Sequence, residues 1–92
     1  MSDTAISPPS LLEFPGAHPV KAMGRHTPEF KPRMLEVIHS EVGQESVIEI
    51  QEKMSRDQKY VSLTITIHIQ SREHLDRIYR QMHATGLLIF AL

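Results

Sequence analysis

Tyr60-Val61-Ser62-Leu63-Thr64-Ile65-Thr66-Ile67-His68-Ile69 alternates polar and apolar residues without a break. A period of two puts Val61, Leu63, Ile65, Ile67 and Ile69 on one side of a strand. Tyr60, Ser62, Thr64, Thr66 and His68 fall on the other. β-Branched residues dominate the run, so propensity agrees with pattern. The stretch predicts a strand in a sheet with one buried and one open face.

Upstream, residues 46–55 predict a second strand, with Ile48 and Ile50 on one face and Glu49, Gln51 and Lys53 on the other. Arg56-Asp57-Gln58-Lys59 reads as the polar hairpin loop between the two strands. Downstream, Ser71 is a hydroxyl cap for a helix with Leu75, Ile78, Tyr79 and Met82 at i, i+3, i+4 and i+7. Glu73 with Arg77, and Asp76 with Arg80, have ion-pair spacing on its outer face. Gly86 stops this helix, and residues 87–92 form a last strand.

Toward the amino terminus, residues 20–24 predict a short strand and Gly24-Arg25-His26 a turn. Thr27-Pro28-Glu29 has the marks of a helix start: a hydroxyl cap, a proline at the first position and an acid in the first turn. Phe30, Met34, Val37, Ile38 and Val42 continue at helical spacing as far as Gly43. Pro32 predicts an irregular first turn, or a regular helix that begins only there.

The element order is βαββαβ. Right-handed crossovers then favour strand order 4-1-3-2. The fold class is α+β: a ferredoxin-like sandwich whose four-stranded antiparallel sheet is covered on one face by two helices. The predicted core comprises Val20, Ala22, Phe30, Met34, Ile38, Ile48, Ile50, the alternate residues of the long strand, Leu75, Ile78, Met82, Leu88, Phe90 and Leu92. Residues 18–92 form the domain. Residues 1–17, with Pro8, Pro9, Pro15 and several serines, read as a mobile tail from which Leu11, Leu12 and Phe14 pack back.

Ninety-two residues, 40% of them hydrophobic, suit one small domain. The net charge of −1 lacks the basic excess of a phosphate-binding protein, so no nucleic-acid partner is expected. The absence of cysteine excludes disulfides and thiol chemistry and fits a reducing compartment. Met-Ser-Asp opens the chain without a basic or apolar leader, and no run approaches a membrane span. These features point to the cytoplasm and to no membrane partner.

Leu11-Leu12-Glu13-Phe14-Pro15, Lys21-Ala22-Met23-Gly24, Pro28-Glu29 and Tyr60-Val61-Ser62-Leu63-Thr64-Ile65-Thr66 occur in that order. Over roughly residues 11–92 the chain resembles the YbeD-like family, small bacterial proteins that carry a domain of unknown function. The resemblance implies a ferredoxin-like fold and a likeness to ACT domains, which regulate amino-acid metabolism by binding small ligands. It brings no catalytic residues with it. Pro32 and an extended amino-terminal tail depart from the family pattern.

The turn Gly24, Arg25, His26 and Thr27 is the candidate ligand site. A helix amino terminus offers backbone donors and a favourable dipole to an anion, and Arg25 adds a clamp for a carboxylate or phosphate. The ACT likeness implies a small anionic metabolite near this turn. The plainer alternative is a helix start flanked by exposed side chains. Acylphosphatases share the topology and hold phosphate with an arginine in the first loop, but they also need an asparagine, and this chain has none. An enzyme acting on an anionic substrate at the Gly24–Thr27 turn is the alternative function, without an evident nucleophile and base. The paired cysteines of the copper-carrying version of the fold are absent.

His18, His26, His39, His68, His74 and His83 include no i,i+4 pair, and only Glu36 and His39 share a helix face. Neither a metal nor a cofactor is expected, and most of these histidines read as solvated. His68 lies on the open face beside Thr66.

The open face is expected to present Lys21, Met23, Glu49, Gln51, Lys53, the hydroxyls of the long strand, Leu87, Ile89 and Ala91. An RNA-binding sheet of this topology stacks bases on aromatic residues of its central strands. Here Tyr60 is the one aromatic nearby, so an RNA-binding module is a further alternative rather than the first reading. Leu87 and Ile89 on an edge strand are the candidate association edge, for a homodimer or a protein partner, unless Leu11, Leu12 and Phe14 cover it. Pro8-Pro9 reads as a leader or as an extended ligand segment. The first functional reading is a small non-enzymatic regulatory or adaptor protein that binds a metabolite, a protein, or both.

Overall fold

The computed structural model describes residues 14–91. The elements run β1 (Gly16–Arg25), α1 (Phe30–Val42), a one-turn 3-10 helix (Gln44–Ser46), β2 (Val47–Met54), β3 (Tyr60–Ile69), α2 (Arg72–Ala84) and β4 (Leu88–Ala91). The sheet order is β2-β3-β1-β4 and every pair is antiparallel, which is the ferredoxin-like order 4-1-3-2. The alternating stretch is β3, a central strand. Its apolar side is buried with Val20 and Ala22 of β1, Phe30, Met34, Val37 and Ile38 of α1, and Leu75, Ile78 and Met82 of α2. Each large side chain so buried contributes roughly 1.5–3 kcal/mol.

β1 is ten residues long, twice the predicted length, and pairs with β3 from Gly16↔Ile69 to Arg25↔Tyr60 without a shift. Gly16 and Ala17, expected in the tail, are therefore in the sheet. Pro19 lies within β1, where a proline is ordinarily unfavourable. Ser55 N–H bonds to Tyr60 O and His26 N–H to Lys59 O. By alternation, the even-numbered residues of β1 bond toward β3 and the odd-numbered ones point away. Pro19 is on the outward side, where β4 does not reach, so its missing N–H leaves no ladder bond unmade. Leu11 and Leu12, expected to pack back on the domain, lie outside the described residues, as do Pro8-Pro9 and Leu92.

α1 opens differently from its prediction. Glu29, not Thr27, is the flanking residue, and no side chain caps the helix. Pro32 is its third residue, and the first bond of helical spacing runs from Arg33 N–H to Glu29 O at 3.0 Å. A proline in the first turn occupies a position whose N–H has no helical partner anyway. α2 opens as expected, with Ser71 Oγ accepting from His74 N–H at 3.1 Å. Gly43 and Gly86 take φ of 80° and 77° after the two helices, the left-handed region where glycine is favoured. The ion pairs fall elsewhere than predicted. Arg77 Nε reaches Glu41 of α1 at 2.8 Å, and Arg72 pairs with Asp76 at 3.7 Å.

The sheet borders depart most from the alternation. Ile48 and Ile50, assigned to the core, are 59% and 39% exposed. The register of β2 against β3 shifts between Val47 and Glu49, making Ile48 an extra residue, and Ile50 lies on the helix face at its uncovered border. A second shift lies between β1 and β4: Leu88 pairs with Gly24 but Phe90 with Met23. One inserted residue reverses the facing of all that follow. Phe90, assigned to the core, thus stands on the open face. Ala91, assigned to the open face, lies opposite Ala22 and packs on the core with Leu88. No helix among the described residues is long and apolar enough to cross a membrane.

Candidate functional site

The four residues of the candidate turn divide into two that hold the fold and two that face a cleft. Gly24 pairs with Val61 on the helix face. A Cβ placed there would lie 2.6 Å from Phe30 Cδ1 and 2.7 Å from the Leu87 carbonyl oxygen. The missing side chain lets the Phe30 ring and the start of β4 close on β1. His26 ties the turn to the β2–β3 hairpin. Its N–H donates to Lys59 O at 2.8 Å, and its Nδ1 lies 3.1 Å from Gln58 O, a bond in which a protonated Nδ1 donates.

Backbone donors assigned to an anion are used inside the protein. Besides His26, Thr27 N–H donates to Arg25 O at 2.9 Å, and Phe30 N–H to Thr27 O at 3.3 Å. What the turn offers a ligand is side chains. Arg25, Thr27 and Glu29 line a cleft of about 200 Å³ whose other wall is Gly86, Leu87, Leu88 and Ile89, with Phe30 beneath. The candidate ligand turn and the candidate association edge are thus one place. Two antiparallel neighbours, β1 and β4, meet at the amino terminus of α1 and bring them together. Ile89, the residue inserted by the register shift, is 51% exposed, whereas Leu87 packs on the core. No ion pair among the described residues engages Arg25 or Glu29.

On the open face, Lys53, Ser62, Met23 and Phe90 follow one another across the four strands, with Gln51, Thr64 and Lys21 in the next row. Lys53, Tyr60, Ser62 and Met23 border a depression of about 310 Å³. Phe90 joins Tyr60 as a second aromatic on this side.

Two histidines are not surface groups. His18 lies on the helix face opposite Ile67, is 4% exposed, and stacks on Phe14 with ring centroids 4.7 Å apart. His74 Nε2 lies 2.9 Å from Glu41 O, a bond that needs a protonated Nε2. Together with Arg77 it clamps the carboxyl end of α1 to α2. Sequence spacing carried no sign of this cluster, because its members are 33 and 36 residues apart. Burial raises the Tyr79 hydroxyl above the ordinary tyrosine value, and a backbone hydrogen bond with Lys21 opposes the rise. Among the described residues no three His, Cys, Asp or Glu side chains converge as a metal site.

The family model described as "Protein of unknown function (DUF493)" matches residues 9–92. A UPF0250 protein of Paraburkholderia phymatum is 37% identical over 73 residues, 79% of this chain and 82% of that one. A UPF0250 protein of Bordetella parapertussis is 33% identical over 83 residues, 90% of this chain and 91% of that one. Among solved structures, protein HP0495 of H. pylori superposes with a TM-score of 0.72 at 12% identity, covering 100% of this chain and 94% of that chain. The ACT domain from the GTP pyrophosphokinase of Chlorobium tepidum gives 0.67 at 10% identity, covering 83% and 94%. The two structures share the fold, and the sequence relatives carry the family. From both, the chain belongs to the DUF493 family of proteins of unknown function and has an ACT-like form of the ferredoxin-like fold.

Proposed function

We propose that this protein is a small non-enzymatic regulatory module that binds an amino-acid-like zwitterion in the cleft between the β1–α1 turn and β4. The observation that carries this reading is the lining of the cleft. Arg25 offers a guanidinium to a carboxylate, Glu29 a carboxylate to an ammonium group, and Leu87 and Ile89 an apolar wall to a side chain. A volume of about 200 Å³ suits a ligand of amino-acid size. The lining holds one hydroxyl, on Thr27, and one carboxylate, on Glu29, the group this reading assigns to the ligand's ammonium. Likeness to an ACT domain supports the same reading at the level of fold.

The test is a two-dimensional NMR titration with each of the common amino acids at millimolar concentration. At least one is expected to shift the amides of Arg25, Thr27 and Ile89, and Arg25→Ala is expected to weaken it about tenfold or more, the loss of a charged hydrogen bond. Silence from every amino acid would sink the proposal. A second reading rests on Phe90, which joins Tyr60, Lys21 and Lys53 on the open face. Aromatic and cationic groups together suit single-stranded nucleic acid. Salt-sensitive retention of a short RNA, lost in Phe90→Ala, would favour it.

A further inference from the structure

β4 lies on β1 in a shifted register. Leu88 pairs with Gly24 and Phe90 with Met23, and Ile89 is the extra residue between them. The shift leaves Ile89 51% and Phe90 47% exposed and sets Ala91 against Ala22 on the helix face. A large ring therefore stands toward water while a methyl group takes the inward position. Without the shift, β4 would follow the alternation of its own sequence. Leu88 would stay opposite Gly24, Ile89 would face Met23 on the open face, and Phe90 would face Ala22 on the helix face. Burial of the ring favours this regular register, and Ala22 is a small neighbour for it.

The shifted register has its own use for Ile89. There the residue joins Leu87 and Leu88 in the wall of the cleft, across from Arg25, Thr27 and Glu29. In the regular register, alternation turns Ile89 to the open face and takes it out of that wall. We propose that β4 has both registers available and that filling the cleft selects the shifted one, so that a bound amino-acid-like zwitterion holds Phe90 on the open face. The coupling rests on the binding proposed above for the cleft and gives that site an output. A ligand moves an equilibrium only by touching its two states differently, and Ile89 supplies the difference.

Little in the fold resists the change. β4 has four residues and one neighbour in the sheet, so a slip disturbs only its pairs with residues 22–24. Odd-numbered residues of β1 bond toward β4, and Met23 keeps a bonded partner in both registers, Phe90 in one and Ile89 in the other. On the open face the shifted register sets Phe90 at the end of the row formed by Lys53, Ser62 and Met23. The regular register places Ile89 there instead. Occupancy of the cleft is thus read on the open face as an aromatic group in place of an aliphatic one.

The experiment is amide relaxation-dispersion NMR on the full chain, first with nothing added. Exchange is expected at Met23, Ile89, Phe90 and Ala91, and at Arg25 and Thr27 with the same rate. Ala91→Glu buries a carboxylate in the shifted register but sets it opposite Lys21 in the regular one. It should move the Phe90 and Arg25 signals together, toward the minor state of the wild type. Ala22→Cys with Ala91→Cys is a facing non-bonded pair in a chain without other cysteines, and its disulfide locks the shifted register. The oxidised form should lose the exchange and the reduced form regain it, which controls for folding within one molecule. Flat profiles in the wild type, exchange on β4 with Arg25 and Thr27 silent, or exchange that survives the disulfide would each overturn the proposal. The common amino acids are then added one at a time. One that binds should quench the exchange at Phe90 and bind Ala91→Glu about tenfold more weakly. Binding that leaves Phe90 exchanging would overturn the coupling. Exchange in the free protein with no amino acid bound would overturn the zwitterion as selector, and with it the cleft reading, but would leave the two registers standing.

Discussion

β1 and β3 lie inside the sheet, and β2 and β4 form its borders. The inner pair runs ten residues in unbroken register, and every apolar residue of β3 is buried. Each border strand carries a register shift and exposed apolar groups. An inner strand is held on both sides, and a slip would turn its whole apolar set toward water. A border strand answers to one neighbour and tolerates an inserted residue. Alternation is therefore a reliable guide to facing at the centre of this sheet and a poor one at its margins.

The strongest way to break this contrast is to truncate one isoleucine in each region. Ile65→Ala, in the middle of β3, is expected to cost about 3–4 kcal/mol in urea unfolding, from lost transfer energy and the cavity left behind. Ile48→Ala, on the border, is expected to cost less than about 0.5 kcal/mol. Equal losses would mean that the β2 border is covered in solution, by a second copy or by another part of the chain. Measuring Ile48→Ala at two protein concentrations separates the cases.

A smaller effect is expected where centre meets border. Gly24→Ala pushes a methyl group toward the Phe30 ring and the Leu87 carbonyl. The resulting shift should cost about 1–3 kcal/mol. It should also alter the cleft, so any ligand of the turn is weakened alongside stability. A variant as stable as the wild type would show that β4 is free to move away from β1.

The smallest effect concerns the hairpin joining border to centre. Asp57 Oδ1 accepts from Ser55 Oγ at 2.7 Å and from Lys59 N–H at 3.1 Å. These bonds favour the ionised form and hold the carboxyl below its ordinary value of 3.8. Its contribution to stability is therefore fully present above pH 3.8 and is lost as pH falls through the lowered value. Unfolding of the wild type and Asp57→Asn should differ at neutral pH and converge in acid. A gap that persists in acid would assign the difference to the asparagine's geometry instead.

Much of the fold was legible because its signals are local. The period of β3, the Ser71 cap, Gly43 and Gly86 each act within a few residues. What Pro19 and Pro32 do to their elements depends on which N–H groups have partners. For Pro19 the answer is the short reach of β4, and for Pro32 it is the starting point of α1. At the site, Arg25 and Ile89 were each visible, but not that they line one cleft. Gly24 and His26 looked like ligand groups and hold the turn in place. The Glu41–His74–Arg77 cluster joins two helices and left no mark in sequence spacing.

The sequence by itself determined the element types, their order and the inner face of the sheet. Those follow from periodicity, chirality and turn chemistry, which act along the chain. The tertiary structure alone decided the length of β1, the facing of Phe90 and Ala91, the exposure of Ile48 and Ile50, and the meeting of Arg25 with Ile89. Each of these depends on how far one strand lies beside another. Register between strands is set by the packing of the whole sheet against its helices, not by the residues of either strand alone.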